Sequence, residues 1–295
     1  MRHISLHKPF FLWLTFTLFY IAAVAQTREV ALFGGVTTYI GDLQQKVFSA
    51  PSARGVIGIN IKQSLTQHFW LRAGAAVGNL YASDVNSEPT LIPRNLSFES
   101  QIVDGYVAGE YRLFTEERSA ITPYVFAGVG MFHFNPYVRF GDKNEKVYLQ
   151  PLGTEGQGLP EYPERETYKL TQFMVPVGGG ILWQVNDKWQ LGIEIRNNFT
   201  FTDYIDDIGL TYADEAALLG GRGPVAVELA WRGDEIDGRP YPAGGVKRGN
   251  PYNDWYHFIG LQAGFKLPGG KNQGKNQGKN QGKNQGKNQM NCPKW

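Results

Sequence analysis

Cysteine is nearly absent. Cys292 is the single one in 295 residues, so no internal disulfide can staple the fold. Charged residues are scarce at 19%. There are only five histidines, and none stands in a metal-type His/Cys spacing; there is no Ser–His–Asp signature and no EF-hand loop. These gaps remove the usual routes to hydrolysis and metal catalysis, so no enzyme activity and no cofactor are expected. Beyond residue 25 no apolar run approaches the ~20 residues that a spanning helix needs, which excludes a helical membrane protein. A uniform basic patch for nucleic acid is missing too. Of the 29 basic residues, two lie in 1–25 and six in 270–295, and neither segment holds an acid, so the body between them is acidic.

The two ends read as segments apart. Arg2 and Lys8 precede the uncharged, mostly apolar run Phe10 to Val24, and Ala23-Val24-Ala25 is the small-x-small pattern that a signal peptidase cuts after. Residues 1–25 are therefore expected to be a cleaved signal peptide, and no cysteine at the cut offers a lipid anchor. At the other end, Gly270 to Gln289 is five copies of Gly-Lys-Asn-Gln. It has no apolar residue to bury, so 270–295 is expected to be a disordered tail, either a plain linker or a basic tether.

Between them, 26–269 alternates with period two. Trp189, Leu191, Ile193 and Ile195 share one face, while Gln190, Gly192, Glu194 and Arg196 share the other. Ile57, Ile59 and Ile61 oppose Gly58, Asn60 and Lys62 in the same way. Phe69, Leu71, Ala73, Ala75 and Val77 oppose Trp70, Arg72, Gly74, Ala76 and Gly78. Val103, Val107, Tyr111 and Leu113 oppose Asp104, Glu110 and Arg112. This is the pattern of strands with one apolar and one polar face. Eight such segments occur, at 29–39, 54–62, 69–80, 98–113, 122–134, 172–184, 188–199 and 255–267. The glycine-rich 122–134 and 172–184 are apolar on both faces and leave their registers open. Most reach the ~9–11 residues of a tilted membrane strand.

The connections alternate in length. Those at 40–53, 81–97, 135–171 and 200–254 are long, and those at 63–68, 114–121 and 185–187 are short. Short periplasmic turns and long outer loops are the mark of an outer-membrane barrel, which puts both ends of 26–269 in the periplasm. A soluble lipocalin-like barrel shares the periodicity with its faces reversed. Aromatics near the strand ends favour the membrane form, as expected of interfacial girdles: Tyr39, Phe69, Trp70, Phe114, Tyr124, Phe132, Phe134, Phe173, Trp183, Trp189, Phe199, Trp255 and Tyr256. The expected fold is an all-β, eight-stranded antiparallel up-and-down transmembrane β-barrel. A barrel of that size is filled by its own side chains, so an open pore is not expected.

Three features could carry further chemistry. Asp203, Asp206, Asp207, Asp214 and Glu215 in the last long loop could share protons, hold Ca²⁺ or order the loop. No histidine stands beside them by pattern. Arg232-Gly233-Asp234 has an adhesion-like order, but three-residue matches are common by chance. Gly34-Gly35 and Gly178-Gly179-Gly180 precede no helix and fit close strand packing rather than a phosphate loop.

The loop motifs resemble a known family. Gly34-Gly35 followed by Tyr39-Ile40-Gly41-Asp42-Leu43, then Phe199 to Asp207, then Arg248-Gly249-Asn250-Pro251 with Asn253-Asp254-Trp255-Tyr256, and the closing Cys292-Pro293, are similar to the PorG-like barrels of the Bacteroidota type IX secretion system. The resemblance implies a non-enzymatic outer-membrane component that ties a periplasmic ring, built from a lipoprotein and a partner protein, to the membrane. It implies contact with outer-membrane lipid, no nucleic acid and no small-molecule substrate. It marks Tyr39, Gly41, Asp42, Asp203, Tyr204, Asp206, Asp207, Arg248, Asn250, Asp254 and Trp255 as structural or contact candidates. The alternative is a general OmpA- or OmpW-like surface barrel for adhesion, envelope integrity or small-solute passage.

Overall fold

The computed structural model describes residues 27–267, Glu116 excepted. The expected signal peptide, the repeat tail and Cys292 lie outside the described residues. Eight long strands form where the alternation placed them: β1 (Arg28–Ile40), β2 (Arg54–Ser64), β3 (Phe69–Ser83), β4 (Ser97–Arg112), β5 (Ile121–His133), β8 (Thr171–Gln184), β9 (Trp189–Thr200) and β10 (Trp255–Leu267). Each pairs antiparallel with its sequence neighbour among these eight, and β1 pairs with β10 from Arg28↔Leu267 to Ile40↔Trp255. The sheet is therefore a closed, up-and-down barrel without a free edge.

Which face turns inward decides between the soluble and the membrane barrel. Ile57, Ile59 and Ile61 of β2 and Leu191, Ile193 and Ile195 of β9 are exposed, while their neighbours Asn60, Lys62, Gln190, Glu194 and Arg196 are buried. An apolar outer wall around a polar interior is stable in lipid and not in water. The fold is thus an outer-membrane-type barrel. No described helix is long and apolar enough to cross a membrane, and the strands do the crossing.

The lumen is packed. In its half nearer the short turns, Arg72 donates to Glu194 at 2.6 Å and sits 3.5 Å from Glu110. Arg112 bonds Glu110 at 2.8 Å and Glu29 at 3.0 Å, and Lys62 lies 3.4 Å from Glu29. Higher up, Arg196 donates to Asp104 at 2.6 Å. Four bases face four acids, all enclosed. Tyr106, Tyr124, Gln262 and Asn60 take up further lone pairs and protons between them. A void among Phe33, Asn60, Tyr106, Glu194 and Arg196 measures about 10 Å³, room for about one water.

The girdle expectation needs a correction. Phe69, Phe173, Trp183, Trp189, Phe199 and Trp255 do face outward, with Trp189 edge-on to Phe265 and Phe199 edge-on to Trp255. Tyr39, Trp70, Tyr124, Phe132, Phe134 and Tyr256 are buried instead. Each inward-facing strand residue is one position out of phase with an outward one, as Trp70 is with Phe69, and period two sends it into the lumen. There Tyr39 meets Phe98 edge-on, Phe132 stacks on Phe134, and Tyr256 lies tilted against both Phe132 and Phe258, which covers Arg196; together they form an aromatic plug. The open registers of β5 and β8 settle the same way: Tyr124, Phe126, Phe132 and Met174 point inward. Gly178 leaves room for Phe126, whose Cζ would stand 2.5 Å from an added Cβ.

The long loops carry regular structure that the sequence reading did not place. Residues 134–170 hold a hairpin, β6 (Tyr137–Phe140) with β7 (Glu145–Tyr148). Residues 201–254 hold three short helices, α1 (Glu215–Arg222), α2 (Pro224–Ala230) and α3 (Asp234–Asp237). They are too short to show a helical period, but their caps are readable: Asp214 accepts from the amides of Ala216 and Ala217, and Pro224 opens α2.

Removing one partner from the lumen network leaves buried charge uncompensated. Arg72→Ala is expected to lower the unfolding free energy by about 3–5 kcal/mol, read as a shift of the urea midpoint in lipid or detergent. A wild-type midpoint would show that the network does not hold the barrel.

Candidate functional site

At the long-loop end the four long connections meet over the barrel mouth. Asp42 and Gly41 come from the turn after β1, and Arg94 and Asp84 from the β3–β4 loop. Thr154, Glu155 and Tyr168 come from the β5–β8 loop, and residues 203–209, Arg248, Asn250 and Asp254 from the β9–β10 loop. Much of each loop lies outside helix and strand, so its buried polar groups must find partners in the other loops.

Two arginines bind the loops by their forks. Arg94 holds Asp84 through two bonds, of 2.8 and 2.9 Å, and donates to the carbonyls of Arg248 at 2.6 Å and Asp42 at 3.1 Å. Arg248 donates to Asp207 O at 2.7 Å, Thr154 Oγ1 at 3.0 Å and Glu155 at 3.3 Å. Glu155 in turn accepts from the amides of Gly209 and Leu210. The carboxylates do the rest. Asp42 Oδ1 accepts from Asn250 N at 2.7 Å and Nδ2 at 3.1 Å. Asp207 accepts from Thr154 at 2.5 Å and Tyr168 at 2.6 Å, in the left-handed region at φ 68 that aspartate tolerates. Asp254 Oδ2 accepts from Ile205 N at 2.8 Å, and Asp206 Oδ1 from Ile208 N at 3.0 Å. Tyr39 stands between these last two, its hydroxyl 2.6 Å from Asp206 and 3.0 Å from Asp254.

The chain passes close where glycine permits it. A Cβ on Gly249 would stand 2.5 Å from Asp42 Oδ2 and 2.8 Å from Ile208. One on Gly41 would run into both Tyr39 and Asp254.

Burial disfavours charge on these acids. It pushes Asp42 up to about 6 against the help of Asn250 and Arg94. Asp207 is pushed up to about 6 despite Arg248. Burial raises Asp203 to about 9, with Asp42 and Asp206 adding to it. Burial raises Asp206 and Asp254 well above the ordinary carboxylate range, with Asp42 adding to the first and Asp206 and Asp203 to the second.

Ten of the eleven motif residues thus meet in one cap. Tyr204 contributes by stacking on Tyr168 at 4.7 Å. Trp255 does not join; it lies on the outer wall against Phe199. The acidic cluster of the last loop divides: Asp203, Asp206 and Asp207 enter the cap, while Asp214 caps α1 and Glu215 begins it. The motifs missed Arg94, Asp84, Thr154, Glu155 and Tyr168. No local signal marks these, because their partners lie in other loops.

Chemistry at the cap is limited. Among the described residues no group of three or more His, Cys, Asp or Glu is placed to hold a metal ion. The histidines bond elsewhere: His257 to Asn197, His133 to Thr171 and His68 to the Arg112 carbonyl. Arg232 of the Arg-Gly-Asp triplet is paired to Glu235 at 2.7 and 2.9 Å, which takes its fork out of use for a partner.

Residues 8–151 match the model of a domain of unknown function, DUF6089. No curated protein matches the chain in sequence. Among solved structures it is similar to the N-terminal β-barrel domain of Pseudomonas aeruginosa OprF, at 13% identity and a TM-score of 0.34, over 82% of this chain and 97% of that one. It is similar to Yersinia pestis Ail, the attachment invasion locus protein, at 5% identity and 0.39, over 83% and 100%. It is also similar to E. coli outer membrane protein W, at 13% and 0.35, over 81% and 97%.

Arg94→Ala leaves Asp84 buried without its cation and cuts the bonds to Asp42 and Arg248. The cap is expected to lose about 3–5 kcal/mol and become open to trypsin within 201–254, with the barrel intact. Cleavage no faster than in wild type would contradict the role given to Arg94.

Proposed function

We propose that this protein is a non-enzymatic outer-membrane component of the type IX secretion system that anchors the periplasmic ring. One observation carries the non-enzymatic, non-channel part: the lumen is filled by paired charge and aromatic rings, and the mouth above it is sealed by four interlocked loops. A barrel so closed acts through its surfaces. The link to secretion rests on the likeness of the loop motifs to PorG-like barrels. Because those motif residues are mostly buried against one another, their part in the proposal is to set the shape of the cap. Contact with the ring lipoprotein and its partner protein then falls to the opposite rim, where the turns 65–68, 113–120 and 185–188 lie. That rim is periplasmic in this reading, with the long loops outside.

The second reading is a general surface barrel, favoured by the size and order of the cap, which offers a built surface outward. The two separate in a clean deletion strain together with an affinity pull-down from detergent-solubilised outer membrane. The anchor reading expects export of type IX cargo to stop and the ring proteins to co-purify. Normal export with an envelope or adhesion defect would replace it with the second reading.

A further inference from the structure

The lumen and the cap balance their charge differently. In the lumen each buried acid has a buried base. In the cap Asp42, Asp84, Glu155, Asp206, Asp207 and Asp254 are buried with only Arg94 and Arg248. Arg94 is committed to Asp84, and Arg248 to Glu155 and neighbouring oxygens. Among the described residues Asp206 and Asp254 have no ion pair and are held by hydrogen bonds alone. Between them stands one phenol with one proton and two carboxylate oxygens in reach. Tyr39 can donate to only one of them. The other oxygen faces the phenol oxygen and needs a hydrogen of its own.

We propose that the cap is a proton-operated latch, in which one proton held on Asp254 bridges it to Tyr39, and Tyr39 to Asp206, and whose loss frees the 201–254 loop from β1. The distances order the chain of donors. The Tyr39 O–H donates a hydrogen bond to Asp206 Oδ2 across 2.6 Å, and Asp254 Oδ1–H donates to the phenol oxygen across 3.0 Å. The remaining oxygens accept from Ile208 and Ile205, so a proton at Asp254 Oδ1 leaves each of these amides its acceptor. On loss of that proton to solvent, two carboxylates share a single phenol proton, with only a void of about 10 Å³ beside Asp206 to admit a water.

Among the described residues the surroundings give Asp254 no ion pair to replace the proton. From the turn after β1 comes Asp42, whose Oδ2 is buried without a hydrogen-bond partner. From the β9–β10 loop comes Asp203, which adds negative charge to Asp254. From the β3–β4 loop comes Arg94, which favours ionised Asp206. From the β9–β10 loop comes Arg248, which lines the same small void as Asp206 but is bonded to Asp207 O, Thr154 and Glu155. The β4 residue against Tyr39 is Phe98, which is uncharged.

The direction in pH follows. A carboxyl raised in the closed state keeps its proton there and sheds it on opening, so closure is strongest in acid and weakens as pH rises through the raised value. Asp42 and Asp207, raised to about 6, and Asp203, raised to about 9, act in the same direction.

Hydrogen exchange on the full chain in detergent, corrected for intrinsic rates, reads the latch at residues 203–209. Between about pH 5 and 10 protection in the wild type is expected to fall with pH. In Asp254→Asn, which places an amide donor where the acid proton stood, the fall is expected to be shallower by one proton, about tenfold per pH unit. Wild-type protein at neutral pH is also expected to show an infrared carbonyl band of a protonated carboxyl that Asp254→Asn lacks. A wild-type slope unchanged in Asp254→Asn overturns the latch, and so does the absence of that band. Restoration of protection at alkaline pH by millimolar Ca²⁺ would overturn it too, since a cation and not a proton would then close the cap.

Discussion

The rest of the structure depends on enclosing charge within a wall that faces lipid. A strand with an apolar outer face must put its polar face somewhere, and in a closed eight-stranded barrel that place is too narrow for bulk water. Glu29, Lys62, Arg72, Asp104, Glu110, Arg112, Glu194 and Arg196 therefore have to neutralise one another, with tyrosines and amides filling what remains. Such pairs give less net stability than their number suggests, because each charge was costly to dehydrate. Their effect is specificity of register and exclusion of water: a strand slipped by one residue would turn Arg72 or Glu194 toward lipid.

Above the charge ladder the composition changes in step with depth. Aromatic rings from β1, β4, β5 and β10 fill the upper lumen, and the acid-rich loops close over them. The lumen cancels acid with base. The cap has too few bases for this and turns to amide donors, hydroxyls and protons. The same problem of buried carboxylate is thus met in two ways within one molecule. The upper one is sensitive to the medium, because its charge balance depends on hydrogens that solvent can remove.

Much of the barrel was legible in the sequence, since period two is a local property. Ile57, Ile59 and Ile61 against Asn60 and Lys62 suffice to assign both faces of β2, and Trp189 to Arg196 do the same for β9. Strand ends shifted by only a few residues. Direction was harder to read for aromatics, because the same ring serves as a membrane anchor or a lumen plug; Trp70 and Tyr256 differ from Phe69 and Trp255 only in phase. The cap was half visible. Its motifs singled out Tyr39, Asp42, Asp206, Asp207, Arg248 and Asp254 but not the tie between them, which runs through Arg94 and Glu155 in loops without any motif. Convergence of four loops is a property of the closed barrel, which brings residues such as Tyr39 and Asp254 to one rim from opposite ends of the chain.

The proposed surface role depends on a self-neutralising interior that seals the barrel. The most direct test is ion conductance of the purified full chain reconstituted in planar lipid bilayers. The account predicts no steady conductance from the wild-type protein at neutral pH. A stable, ohmic pore under those conditions would contradict it.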